Sequence, residues 1–361
     1  MGYFTNINLI NFRNFEIFKH EFSKNSNVFF GKNGSGKTNL LEAISLFSKG
    51  RGIKKDKLSN IIKNNQKKFI IKTNFENNNI IYNIKSETLE KNNKIKKILT
   101  VNDDNSSATL NNFYNLVPFL FFLPETERLF LASPSIRRNF IDRFIFNHNN
   151  NYNKLINDYN KNLIERSKLL ADDYYDSCWL DNIEKNLSNF GIQIYQLRDN
   201  QIKYLVKYLN NFLNKFNLHY KINVKLFDKF YNSHINKEIY IEELKKNRKI
   251  DKVFGGSKIG PHKSDYLFYI NNNYFASQLS TGQQKALILL IFLSQCKYLI
   301  DIFNQKPILL LDEVCSHLDE TNREILLTLV ESFDLQIFMT GTTKNLFSFL
   351  STNTNFCNIV N

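Results

Sequence analysis

The strongest constraint in this chain is local. GKNGSGKT, Gly31–Thr38, stands directly after the apolar run NVFF (Asn27–Phe30) and before a stretch that places Leu40, Leu41, Ile44 and Phe47 on one helical face. The string fits G-x-x-x-x-G-K-[ST], and strand, glycine loop, helix is the setting its mechanism requires. Gly31, Gly34 and Gly36 let the backbone turn and come close to an anion. Amides of the loop, from Lys32, Asn33 and Ser35 through to Asn39 at the helix start, can then point at phosphate oxygens. Lys37 is placed to reach the β- and γ-phosphates of a nucleoside triphosphate, and the Thr38 hydroxyl to join a Mg²⁺ shell.

A second motif supplies acid. PILLLDEV, Pro307–Val314, ends four apolar residues in two carboxylates, the pattern of a buried parallel strand that delivers charge to a sheet's C-terminal edge. Asp312 is expected to hold Mg²⁺ through its water shell. Glu313 is expected to face the γ-phosphate and to position or deprotonate the attacking water. Taken alone, the pair would equally open an exposed turn.

Neither motif explains QLSTGQQKALILL, Gln278–Leu290. Ser280, Thr281, Gly282 and Gln283 can form a capped helix start with exposed amides, a second anion-binding point that a single nucleotide in the same subunit does not need. A capped core helix accounts for the serine and the apolar run but not for the whole LSTGQQ string. The string resembles the LSxGQ signature of ABC-type ATPases, which closes over the γ-phosphate held by the phosphate loop of another subunit. On that resemblance, the partner of Ser280 lies in a second copy of the chain.

The resemblance narrows further. LINFRNFE, GKNGSGKTNLLEAI, FLPETERLFLASPSIRRNFID, GPHKSD, LSTGQQKALILL and LLLDEVCSHLDE together look like the RecF family, bacterial recombination-repair ATPases related to SMC proteins. The segment after the proline-glutamate carries the paired arginines of that family as Arg137 and Arg138, before Phe140 and Asp142. The resemblance implies ATP-dependent homodimerisation on double-stranded and junction DNA, slow hydrolysis as a release switch, and action with RecR and RecO in loading RecA. It also implies Arg13 near the nucleotide and Ser316 and Asp319 in a D-loop between subunits. The roles of Arg137, Arg138 and GPHKSD stay open. Two departures stand out: the glutamine and histidine that transporter-type ATPases carry are replaced in FLPETE and MTGTT, leaving Glu125 and Thr340 at those places. His262 and His317 are read as structural.

The fold expected is α/β, an ABC-type ATPase head with a mixed sheet and flanking helices, split by a mainly helical lobe. Residues 1–120 and 251–361 are assigned to the head and 121–250 to the helical insertion. The insertion carries apolar residues at three- and four-residue intervals but no sustained heptads and no CxxC hook, so no long coiled coil is expected. QIFMT is taken as the last strand, and Leu326, Leu327 and Val330 as the buried side of the helix before it.

Composition bears on partners. The net charge is +14, which suits a polyanion such as DNA, yet only ten of the 48 basic residues are arginine, and a chain rich in Lys, Asn, Ile and Phe reaches this balance without any such partner. The best local candidate for phosphate contacts is KGRGIKKDK, offering Lys49, Arg51, Lys54, Lys55 and Lys57; a merely solvated loop fits the same residues. Four scattered cysteines and the absence of a basic-then-apolar leader point to a cytoplasmic protein with free thiols and no membrane partner. The nucleotide-binding subunit of a membrane transporter shares the core motifs and is the alternative, as is a scaffold that binds ATP and DNA without turnover.

Overall fold

The computed structural model describes residues 2–360 apart from 55, 92, 93, 232–234, 317, 318 and 352. Lys55 of the basic loop and His317 of the SHLD string therefore lie outside the described residues. The chain divides into two compact units, Met1–Arg128 with Ser280–Asn361, and Leu129–Leu279.

In the first unit, alternating apolar residues build an antiparallel sheet from β1 (Tyr3–Phe4), β2 (Asn6–Phe12) and β3 (Phe15–Glu21). β4 (Ser26–Phe30) instead opens a second sheet and leads through the glycine loop into α1 (Lys37–Ser45). A short α2 (Leu58–Ile61) precedes β5 (Ile70–Asn77), β6 (Ile80–Lys91) and β7 (Lys94–Val101), which complete the antiparallel sheet in the order β3-β2-β5-β6-β7, with β1 on β5. After α3 (Ser107–Leu116), β8 (Phe119–Phe122) joins β4 in the second sheet. One buried cluster unites Phe4, Phe12 and Phe75 of the first sheet, Leu40, Leu41 and Ile44 of α1, and Phe29, Leu310 and Phe338 of the second. Burying each such side chain contributes about 1.5–3 kcal/mol, so α1 is fixed from both sides.

The second unit begins with α4 (Pro134–Phe146), α5 (Tyr152–Ala171) and α6 (Ser177–Lys215), the last 39 residues long. β9 (Ile222–Phe227), α7 (Lys237–Lys246), α8 (Arg248–Phe254), β10 (Asp265–Ile270) and β11 (Tyr274–Phe275) follow, with the strands paired antiparallel in the order β11-β10-β9. The interior holds ions as well as hydrocarbon. Arg166, 1% exposed, is bonded to Glu184 (2.9 Å), Asp251 (2.7 Å) and the Leu244 carbonyl (2.8 Å).

The chain then returns to the first unit with α9 (Thr281–Phe303), β12 (Ile308–Leu311), α10 (Glu320–Glu331), β13 (Ile337–Gly341) and β14 (Asn355–Asn358). The second sheet runs β14-β4-β13-β12-β8, every neighbouring pair parallel. α9 is long and apolar enough to cross a membrane, with mean hydropathy 1.9 in its most apolar window, but 72% of that window is buried within the fold. The buried Gln336 amide ties the two sheets, accepting from the Phe4 amide and donating to the Phe4 carbonyl, both at 2.7 Å.

Several expectations need correction. QIFMT is not the last strand, because β14 follows it and pairs with β4 at the sheet edge. The buried side of α10 is Ile325, Leu326 and Leu329, one step from the set read in the sequence. The compact units change over at 128/129 and 279/280 rather than at 120/121 and 250/251, because β8 pairs with β12 and β10 pairs with β9. The expected helical insertion thus carries its own small sheet.

Candidate nucleotide-binding site

Parallel pairing puts the C-terminal ends of β4, β13 and β12 on one edge, and the chemistry gathers there. After β4 the loop turns through Gly31 (φ 154°), Gly34 (φ 83°) and Gly36 (φ 105°). A Cβ at Gly31 would lie 2.5 Å from the Ile359 carbonyl oxygen, and one at Gly36 2.5 Å from the Asn14 amide nitrogen. Gly31 therefore requires glycine for space as well as for backbone angle, and Gly36 for its backbone angle. Lys37 is 4% exposed, and its ammonium donates to the carbonyls of Gly31 (2.8 Å) and Lys32 (2.9 Å). The Ser35 hydroxyl is buried and has no hydrogen-bond partner among the described residues. A buried hydroxyl left in that state costs about 1–3 kcal/mol, which an anionic ligand would relieve.

The β12 end completes the site. Thr38 Oγ1 lies 3.1 Å from each Asp312 carboxylate oxygen, and Thr340 Oγ1 donates to Asp312 Oδ1 at 2.6 Å. The Glu313 amide donates to the same Thr340 hydroxyl at 2.9 Å. Thr340 thus holds both acids from the neighbouring strand. Burial pushes the Asp312 carboxyl above the usual carboxylate range, against the opposing hydrogen bonds from Thr340 and Thr38. Glu313 adopts φ 51°, a left-handed conformation, and its exposed side chain lines an open cleft of about 170 Å³ with Asn33, Gly34, Gly36, Lys37, Thr38 and Asn39.

The donors present fit Mg²⁺. The Thr38 hydroxyl and Asp312 carboxylate are hard oxygen ligands, and among the described residues no group of three or more His, Cys, Asp or Glu could hold a metal ion by itself. Mg²⁺ takes one or two protein ligands beside phosphate oxygens and water, which matches that sparse set.

Other residues singled out in the sequence fall in different places. Arg13 does not line the cleft; its guanidinium is bonded to Glu42 (2.8 and 2.6 Å), Asp56 (2.8 Å) and the Asn60 carbonyl (2.9 Å), bracing α1 from behind the loop. Its neighbour Asn14, which the sequence did not single out, touches the loop instead. It donates to the Ser35 carbonyl (3.1 Å) and accepts from Asn39 (2.8 Å). Lys54, expected on a DNA-facing loop, donates to Asn39 Oδ1 at 2.9 Å and lies 3.7 Å from Glu42, at the rim of the cleft. Lys49, Arg51 and Lys57 are exposed. Glu125 is exposed in the 3-10 turn Pro124–Leu131 and is not among the cleft residues.

Ser280 caps α9 in a reciprocal capping box: its hydroxyl accepts from the Gln283 amide (3.3 Å), and Gln283 Oε1 accepts from the Ser280 amide (3.0 Å). Ser280, Thr281 and Gln283 are exposed, and no residue of the signature string lines the Lys37 cleft. Ser316 turns the chain after Glu313, its amide and hydroxyl both donating to the Glu313 carbonyl (3.1 and 2.9 Å). Asp319 caps α10 by accepting from the Asn322 amide (2.8 Å), and Asn322 Nδ2 donates to the Gly282 carbonyl (3.3 Å). Lys285, 5% exposed, joins three segments: it pairs with Glu127 (2.8 Å) and donates to the Ser316 carbonyl (2.8 Å). The signal for it was present, since a lone cation inside an apolar helix must find a partner. His262 is structural as expected, with Nδ1 2.8 Å from the Tyr159 hydroxyl and Nε2 3.1 Å from the Ser257 carbonyl.

Comparison with known proteins places this arrangement. Residues 3–358 match the family described as RecF/RecN/SMC N terminal domain. A DNA replication and repair protein RecF from Rickettsia typhi is 32% identical over 343 residues, 93% of either chain. The recombination mediator protein RecF-ATPrS of the RecFOR pathway superposes with a TM-score of 0.85 at 27% identity, over 99% of this chain and 96% of that one. RecF-ATP of the same pathway gives 0.82 at 29% identity, over 97% and 94%. The head is an ABC-type ATPase fold without a long coiled coil, and the chain belongs to the RecF family.

Proposed function

We propose that the protein is a DNA-binding ATPase of recombinational repair and replication-fork maintenance that uses nucleotide as a dimer switch. Mg-ATP is held by Gly31–Thr38 of one copy and closed over by Ser280, Thr281, Gly282 and Gln283 of a second. The observation that carries this reading is a division of labour: Thr38, Asp312, Thr340 and Glu313 form one hydrogen-bonded chain at the cleft, whereas the signature residues are exposed at a helix start that lines no part of it. ATP-bound relatives and their naming as repair and mediator proteins support it.

Lys37 exchanges its two loop carbonyls for phosphate oxygens, and the Ser35 hydroxyl gains the partner it lacks. Thr38 and Asp312 would hold Mg²⁺, which would supply neutralisation of phosphate charge. Glu313 orients or deprotonates the attacking water, and its backbone is held for this by Thr340. Ser316 and Asp319 stand beside the signature helix, and Lys285 transmits their position to Glu127. In this reading the dimer binds gapped, junction and double-stranded DNA in the cytoplasm, acts with RecR and RecO in loading RecA, and lets go after slow hydrolysis. The exposed cations Lys49, Arg51 and Lys57, in the segment that follows the phosphate-loop helix, serve as DNA contacts; Lys54, bonded to Asn39 at the cleft, is assigned to the nucleotide.

The test uses Glu313→Gln and a fluorescent gapped duplex. Mg-ATP should tighten DNA binding at least about tenfold over Mg-ADP, a difference of about 1.4 kcal/mol. Equal affinity in the two nucleotides would remove ATP as the switch.

A further inference from the structure

The paired arginines and the GPHKSD string are the two motifs that the nucleotide site leaves unexplained, and they lie against one another in the second unit. Arg137 of α4 makes a two-pronged pair with Asp265 (2.7 and 2.6 Å), and Arg138 donates to the Ser264 carbonyl. Between α4, α5, α6 and this segment is a cavity of about 170 Å³, with Arg138 and Arg198 in its wall and Ser135, Asn139 and Asn160 exposed around it. That is below the ~300–1,000 Å³ of pockets that take drug-sized ligands.

The carboxylates around that wall are engaged, Asp228 among them, which accepts from the Ser264 (2.6 Å) and Tyr195 (2.8 Å) hydroxyls. Arg198 is committed to Asp142 (2.9 and 2.8 Å) and to the Pro261 carbonyl (2.6 Å), and Asp142 also accepts from the Tyr152 hydroxyl (2.6 Å). Asp265 is occupied by Arg137. His262 is neutral, burial holding it down to about 4. Among the described residues the Arg138 guanidinium has only the Ser264 carbonyl as a hydrogen-bond acceptor, and it lines the cavity with Arg198 opposing its charge and Asp142 and Asp265 attracting it. A guanidinium with donors to spare, amide and hydroxyl groups at the mouth, and a small volume fit a compact anion.

We propose that this cavity is a phosphate-group site, centred on Arg138 with Asn139 and Asn160 as neutral donors, that anchors one backbone phosphate of a nucleic acid. The assignment rests on the reading of the protein as DNA-binding and deepens it: α4 and GPHKSD are built around a backbone contact that carries no sequence information.

The experiment has two arms, both run on Arg138→Gln, Asn160→Asp and the unaltered protein. In the first, duplex binding is followed by anisotropy across a salt series. Arg138→Gln should weaken binding about tenfold and lower the slope of log K against log salt by about 0.9, the value for one phosphate contact. Asn160→Asp puts a carboxylate at the mouth without touching Ser264 and should weaken binding likewise, so a folding defect in Arg138→Gln leaves the question decidable. ATP affinity should be unchanged in both variants. In the second arm, inorganic phosphate should raise the melting temperature of the unaltered protein more than that of either variant, at matched ionic strength; the Gly31–Thr38 loop contributes equally to all three. Unchanged slopes together with equal phosphate protection overturn the site. Lost phosphate protection with an unchanged DNA slope overturns nucleic acid as its source. If the unaltered protein binds no duplex, the DNA reading fails while the phosphate arm still decides whether the cavity takes the anion.

Discussion

The nucleotide cleft of the first unit and the interior of the second bury charge in opposite ways. In the first, the buried polar groups at the sheet edge are incompletely satisfied: the Ser35 hydroxyl has no partner among the described residues, Lys37 is folded onto backbone carbonyls, and burial raises Asp312. In the second, Arg166 meets two carboxylates and a carbonyl, and Arg198 meets both oxygens of Asp142 and the Pro261 carbonyl. Incomplete pairing marks a place that a ligand finishes. Complete pairing marks a place that fixes how helices meet, and Arg138, hydrogen-bonded to one carbonyl, differs from Arg166 and Arg198 in this respect.

Removing a completed ion should therefore damage the fold and spare the chemistry. Arg166→Met leaves the fully buried Asp251 without its cation and Glu184 with Arg248 alone, and should destabilise the protein by about 3–5 kcal/mol in urea denaturation. Its nucleotide affinity, measured on the folded protein, should stay within about twofold; a large loss there would erase the distinction between the units.

The reverse should hold at the loop. Lys37→Ala is expected to lower ATP affinity about 100-fold or more by titration calorimetry, while the loss of two hydrogen bonds to backbone carbonyls costs only about 1–3 kcal/mol of stability.

Acid should strike the second unit next. Burial lowers both His148 and His262 to about 4, against about 6.5 in an unfolded chain. A depressed histidine favours the folded state fully above pH 6.5, and its contribution is lost as pH falls toward 4. Between pH 7.5 and 5 each should cost about 2 kcal/mol. Replacing His262 with Asn should flatten that slope, and an unchanged slope would mean that His262 is not held neutral.

The smallest effect is expected at Thr340→Val, which keeps the strand and deletes the link between Asp312 and Glu313. Turnover should fall about tenfold with ATP affinity nearly intact, and normal turnover would make the hydroxyl a packing feature only.

What could be read from the sequence was whatever is encoded locally. GKNGSGKT carries its own turn, NVFF and ILLL are continuous apolar runs, and Ser280 with Gln283 is a capping box at fixed spacing. β14 was not legible because NFCN has no alternation to mark a strand, and its place is set by pairing with β4 more than 300 residues earlier. β9 and β10 pair across the α7 and α8 helices, so the boundary at 279/280 had no local sign. Arg13 and Asn14 show the limit at side-chain level: the motif was found, but which of two adjacent residues faces the loop depends on Glu42 and Asp56, neither of them predictable as a partner.

The central claim is that the site is shared between two copies. The most direct measurement is light-scattering mass with Mg-ATP for Glu313→Gln and for the same chain carrying Ser280→Arg as well, with ATP binding checked in both. A dimer for the first and an ATP-loaded monomer for the second is the predicted result. A dimer in both would contradict the account and leave Ser280 as the cap of a core helix.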